Sequence, residues 1–188
     1  SSANWFFSSK APKNKKKNKT YYLKNLIEML DLISDSSIKI NYENDAPEKL
    51  LSLIKNELKK DKKYIGYAPG AGGMEKIWDL KNFLKVANYF LKKNYIPVFF
   101  LGPNERNYQK IIKKNLDKVI FIEEMITEFS KIEIVMASSN FLSCSLTNDS
   151  GTSHMLANTK SPQVKLFGPT NKDKFSNPEF KIKAIDSK

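Results

Sequence analysis

A chain of 188 residues with 40% hydrophobic and 12% aromatic side chains is long enough to bury a proper core and too apolar to be globally disordered, while two full-sized domains would be cramped in it. Cys144 is the only cysteine, which excludes an internal disulfide framework and weakly favours a reducing compartment. No run approaches the ~20 apolar residues that span a bilayer, the longest, Ile96 to Leu101, being interrupted by Pro97. The formal charge of +12 points towards anionic partners, yet Arg106 is the only arginine, and bidentate recognition of phosphates and base edges prefers guanidinium groups. Lysine scattered through nearly every segment reads as a compositional habit, so no nucleic-acid partner is expected.

In chain order, residues 1–20 form a polar lead with an aromatic patch at Trp5-Phe6-Phe7 and a dense run of Lys10, Lys13, Lys15, Lys16, Lys17 and Lys19. The start lacks an initiator Met and is too short and polar for a signal peptide, so it reads as the interior of something longer. The lysine run is a solvated loop or a site for a peripheral contact with anionic membrane lipid. Tyr22, Leu26, Met29, Leu30 and Ile33 recur at helical spacing, predicting a helix over 20–33 capped by Thr20. Asp45 with Glu48 three residues later resembles a capping box, and Leu50, Leu51, Ile54 and Leu58 give the next helix its apolar face.

From residue 64 short apolar runs alternate with amphipathic segments, the pattern of a parallel sheet with crossover helices. Strands are expected at 64–67, 96–101, 119–122, 142–146 and 163–167, with a further one at 180–185. Helices are expected at about 79–93, 104–115, 126–137 and 150–158. The fold class is α/β, a Rossmann-like parallel sheet with helices on both faces. Residues 1–60 are read as a lead, a linker from or remnant of a preceding domain, and residues 61–188 as the Rossmann-like unit. In such sheets ligands bind beyond the carboxyl ends of the strands, so the loops that follow strands carry the information.

The loop after the first strand, Ala68 to Trp78, holds three of the seven glycines. Glycine lets backbone amides approach an anion closely, although Lys76 lacks the flanking residues of a Walker loop, and an ordinary tight connection explains the glycines as well. After the fourth strand, Thr147-Asn148-Asp149-Ser150-Gly151-Thr152-Ser153-His154 opens a short helix. Its first amides have no intrahelical acceptor and sit at the positive end of the helix dipole, suiting a diphosphate. His154, the only histidine, lies one turn in on the Ser150 face, where it would donate to the same anion. The competing reading is that Asp149 or Ser150 only caps the helix and His154 packs against Phe167. The third loop is Phe167-Gly168-Pro169-Thr170, turn residues by composition. Three anion-suited loops, each after a strand of one sheet, would converge on one crevice.

Pro69-Gly70-Ala71 with Lys76-Ile77-Trp78, Asn148-Asp149-Ser150-Gly151 through His154, and Phe167-Gly168-Pro169-Thr170 together resemble the donor-binding half of glycosyltransferase family nine, the ADP-heptose lipopolysaccharide heptosyltransferases, over about residues 60–178. The resemblance implies the C-terminal half of a GT-B fold and an inverting, metal-independent glycosyl transfer at the cytoplasmic face of a membrane, without a cofactor beyond the nucleotide-sugar donor. It implies that Lys76 neutralises the donor diphosphate and that Asp149 lies close to the sugar and phosphates. It assigns Ala71, Gly72, Ser150, Gly151, Thr152 and His154 to the diphosphate, Glu105 to the ribose hydroxyls and Met125 to adenine. The general base belongs to the family's first domain, which would also select the lipopolysaccharide-core or other glycan acceptor. Asp79 stands where relatives often have proline. Two other classes remain open: a non-enzymatic anion or nucleic-acid module using the lysine lead, and another GT-B enzyme such as a UDP-sugar epimerase.

Overall fold

The computed structural model describes residues 46–157, 161–170 and 181–186. The helix expected at 20–33, the lysine lead and Asp45 lie outside the described residues. Helix α1 (Glu48–Glu57) starts with Pro47 at its N-cap and no side-chain cap bond, so Glu48 occupies the first helical position and not the third one of a capping box. Strand β1 (Lys63–Ala68) leads through a 3-10 turn at Met74–Lys76 into α2 (Leu80–Leu91), then β2 (Tyr95–Phe99), a 3-10 turn at Pro103–Glu105, and α3 (Tyr108–Asn115). There follow the single-turn α4 (Ile122–Met125), α5 (Lys131–Ser138), β3 (Cys144–Asn148), α6 (Gly151–Ala157), β4 (Gln163–Phe167) and β5 (Ile182–Asp186).

The strands form one sheet in the order β2-β1-β3-β4-β5, and every pair is parallel. Both faces of a parallel sheet are covered when crossover helices return the chain, and β1 shows it residue by residue. Tyr64 and Ala68 join one cluster with Leu50 and Ile54 of α1, Leu58 at its C-cap, Ile134 and Val135 of α5 and Leu156 of α6. Ile65 and Tyr67 join the other, with Phe83 and Ala87 of α2 and Ile112 of α3. Helix α1 precedes residue 61, where the sequence reading begins the Rossmann-like unit, and packs on the same core.

The strand expected at 119–122 does not form. Only Ile120 bridges Val98, and the chain turns into α4 at once. The outer edge of β2 explains this. Pro97 has no N–H to give a neighbouring strand. The Phe99 N–H donates to Ile120 O at 2.9 Å, and the Leu101 N–H is taken by the Glu123 carboxylate at 3.2 Å, so a side chain replaces the next rung of a ladder. The helix expected at 126–137 also starts later, at Lys131, because Ser130 and Glu133 make a reciprocal capping box there that satisfies the first N–H groups. The segment expected as one helix over 104–115 is divided into the turn at Pro103–Glu105 and α3. The strand expected at 142–146 lies two residues later. The remaining strands and helices match their expected positions to within two residues.

Among the described residues no helix is long and apolar enough to cross a membrane.

Candidate functional site

β1 connects outward to β2 through α2, whereas β3 connects in the opposite direction to β4 through α6. The crevice between the carboxyl ends of β1 and β3 is therefore the switch point at which open α/β sheets bind ligands. The loops after β1, β3 and β4 all end there.

Asn148, fully buried at the end of β3, ties two of these loops together. Its Nδ2 donates to Pro69 O at 2.7 Å, and its Oδ1 accepts from the Trp78 N–H at 3.2 Å. Both ends of the glycine-rich loop are thus pinned to β3, and Lys76 is carried between them. Gly168 brings in the third loop. A Cβ at this position would lie 2.8 Å from Glu75 O and 3.4 Å from Lys76 Cα, so the close approach of the β4 loop to the turn bearing Lys76 requires glycine.

The charged centre is Asp149, 5% exposed. Lys165 Nζ lies 2.9 Å from its Oδ1, Lys76 Nζ lies 3.5 Å from Oδ2, and the Thr170 hydroxyl donates to Oδ2 at 3.0 Å. Burial by itself would push the Asp149 carboxyl up, but the Lys165 ammonium, the Thr170 hydroxyl and Lys76 together hold it below the usual carboxylate range. Lys165 is 1% exposed. Burial lowers its ammonium below the ordinary lysine value, with Asp149 opposing that and Lys76 adding to it. Lys165 Nζ is also 3.3 Å from His154 Nε2. Burial and the Lys165 charge lower the imidazole pKa, against Asp149. An ammonium can only donate, so it selects the neutral ring with its proton on Nδ1.

The start of α6 has a closed local network. Ser150 Oγ accepts from the Ser153 N–H at 3.2 Å, so Ser150 does cap the helix, as the structural alternative expected. The Ser150 N–H donates to Ser153 Oγ at 3.2 Å. Gly151 and Thr152 are the first-turn residues whose amides have no intrahelical acceptor, and the space a Gly151 side chain would fill is open, with nothing within 4 Å; the same holds at Gly72. In the loop after β1, Ala71 is half-buried and Gly72 exposed.

Glu105 is brought to the same edge. It is 8% exposed, and its carboxylate occupies the room left by two glycines: a Cβ on Gly70 or Gly102 would come within 2.8 and 2.5 Å of its oxygens. Met125, at the end of α4, is half exposed. A cavity of about 240 Å³ lies between the loop after β2 and helices α4 to α6, lined by Gly102, Pro103, Glu123 and Thr152 among others. Neither Glu105 nor Met125 lines it. A larger, mostly apolar cavity of about 630 Å³ runs along the sheet from Lys76 and Asn148 to Leu166 and Ile185.

Lys76 and Asp149, expected together, are together; His154 reaches Asp149 through Lys165. Sequence reasoning passed over Asn148, Lys165 and Thr170 as site residues. Lys165 had a signal, a charged residue inside an otherwise apolar strand, Val164-Lys165-Leu166-Phe167. The role of Asn148 depends on a contact 79 positions away in the chain and had none.

Comparison with known proteins gives the family. The profile described as glycosyltransferase family 9 (heptosyltransferase) matches residues 5–186, a longer stretch than the three motifs span. Lipooligosaccharide heptosyltransferase 2 of Campylobacter jejuni subsp. jejuni serotype O:2 is 31% identical over 157 residues, 82% of this chain and 49% of that protein. Its serotype O:6 counterpart is 32% identical over 161 residues, 84% of this chain and 50% of that protein. The chain thus spans about half the length of the curated relatives it matches. A glycosyl transferase family 9 structure from Veillonella parvula superposes with a TM-score of 0.73 at 21% identity, covering 96% of this chain and 52% of that one. The Escherichia coli ADP-heptose lipopolysaccharide heptosyltransferase II gives 0.63 at 22% identity, covering 74% and 43%. These two likenesses establish the shared fold, and with the profile match and the curated relatives they show that the chain belongs to glycosyltransferase family 9.

Proposed function

We propose that this chain is the donor-binding half of a glycosyltransferase that moves heptose from an ADP-linked donor to a lipopolysaccharide-type acceptor. The observation that carries the proposal is the convergence of Lys76, Asp149 and Lys165 at the switch-point crevice of a family 9 chain. Glycosyl transfer with inversion passes through an oxocarbenium-like state while negative charge grows on the departing diphosphate, and cations and amides already in place stabilise that charge without reorganisation. Lys76, a quarter exposed, is the cation on the crevice side. The amides of Gly151 and Thr152, and those of Ala71 and Gly72 in the glycine-rich loop, supply uncharged donors. Ser150 shapes this arrangement as the helix cap. His154 completes the phosphate side, Glu105 holds the ribose hydroxyls and Met125 meets the adenine.

Asp149 lies on the leaving-group side, so the base that takes the acceptor proton comes from the acceptor-binding half of the whole enzyme. Transfer is metal-independent in this reading, the lysines serving where a divalent ion would. The enzyme works on the cytoplasmic side of a membrane, with the lysines at 10–19 as its electrostatic contact with anionic lipid.

Calorimetric titration with ADP, UDP and AMP at physiological salt tests the donor assignment. ADP is expected to bind more tightly than either, and Lys76→Ala to weaken it about tenfold or more. Tighter binding of UDP would replace the donor with a UDP-sugar. Binding without nucleotide preference and with a steep salt slope would favour the lysine-rich lead as a general anion site.

A further inference from the structure

Lys165 stands out among the buried side chains because its charge is not needed to neutralise Asp149. Lys76 alone would suffice, yet two ammonium groups flank one carboxylate, and the neutral His154 ring adds no negative charge. Burying an ammonium costs several kcal/mol before its partner offsets it, and a buried ion pair adds little net stability. The two lysines also differ in place. Lys165 reaches Oδ1 from β4, at 2.9 Å and 1% exposed, whereas Lys76 reaches Oδ2 at 3.5 Å and is 25% exposed. Among the described residues, Lys165 is buried against Asp149 and His154 and meets the crevice through them.

We propose that Lys165 is a positioning residue that neutralises Asp149 from inside the fold and thereby leaves Lys76 available for the donor's diphosphate. This rests on the donor-binding reading above. Without Lys165, Lys76 would be the sole counter-ion of a desolvated carboxylate and would be held by it, and an arriving diphosphate would meet an Asp149 charge compensated only by the cation it needs. Among the described residues, Lys165, Lys76 and Asp149 sum to one net positive charge, and the more exposed cation is Lys76, where a dianion arrives.

The test is ADP binding by the chain carrying Lys165→Met, Asp149→Asn, both together, or Lys76→Ala. Lys165→Met is expected to weaken ADP tenfold or more. The double variant is expected to recover most of that loss, because the carboxylate that trapped Lys76 is gone. Asp149→Asn also removes the buried charge that Lys165→Met leaves less compensated, so folding of each variant is followed by chemical denaturation beside ADP binding. Weakened binding by a fully folded Lys165→Met chain is expected, and weakening that only follows loss of folded protein would overturn the proposal. Lys165→Gln, which keeps a hydrogen bond to Asp149 without the charge, carries the same expectations should the methionine variant not fold. Equal weakness of Lys165→Met and the double variant would overturn the proposal, as would ADP binding by Lys165→Met within twofold of the parent chain. In both cases, weakening by Lys76→Ala would leave the donor reading standing. Failure of the parent chain to bind ADP would instead overturn the donor reading.

Discussion

Asn148 carries no charge and performs no chemistry, but its amide is the clamp that places Lys76. Replacing it by alanine leaves the Trp78 N–H and Pro69 carbonyl without their partner, and a buried unsatisfied group costs about 1–3 kcal/mol. Asn148→Ala is therefore expected to lower stability by that order in chemical denaturation and to weaken ADP binding as the glycine-rich loop loosens. His154 gives a second prediction at this scale. Burial and Lys165 put its folded pKa below its ordinary value, about 6.5 in an unfolded chain. The stability contributed by the neutral ring is complete above ~6.5 and is lost as pH falls through the folded value. Asp149, also depressed in the folded state, adds a loss of the same sign at lower pH. The only histidine in the chain gives an unambiguous NMR titration, expected below 6.5, and His154→Gln should remove the upper part of the acid-dependent stability loss. A midpoint at or above 6.5 would contradict the placement of Lys165 against the ring.

At the scale of elements, the site is made by how closely strand-end loops approach one another. Gly168→Ala puts a methyl group 2.8 Å from Glu75 O, and that atom is backbone, so the Lys76 turn must shift. Overpacking of this kind costs typically about 1–3 kcal/mol, and ADP affinity should fall with it. Ser130→Ala is the contrasting case. It removes the capping box of α5 at a cost of about 0.5–2 kcal/mol, while ADP affinity is expected to stay unchanged because no loop of the crevice depends on Ser130. The same accounting of hydrogen bonds explains the one strand that is missing. An apolar run at 119–122 satisfies the pattern for a strand, but Pro97 and the Glu123 side chain decide what the outer edge of β2 can pair with, and neither effect is contained in the run itself.

For the whole molecule, a site that stabilises a leaving group is half of a transfer machine. The chain, spanning about half of its curated relatives, is expected to bind ADP yet give no heptosyl transfer from ADP-heptose in a coupled assay; measurable transfer would place the acceptor-side base within these residues. Much of this molecule was legible in local pattern. Short continuous apolar runs and period-3.6 stripes, together with glycine and proline punctuation, identify the parallel α/β fold, because burial on both faces makes a strand apolar throughout and burial of one face gives each helix its stripe. The same local chemistry marks the glycine-rich loop and the start of α6, while Lys76 and Asp149 were added by the resemblance to family 9. Only the tertiary structure decided that Asn148 joins two loops and that Lys165 stands between Asp149 and His154. Those contacts link residues from different strands and loops, and the desolvation that gives them their strength arises only when the chain closes over them.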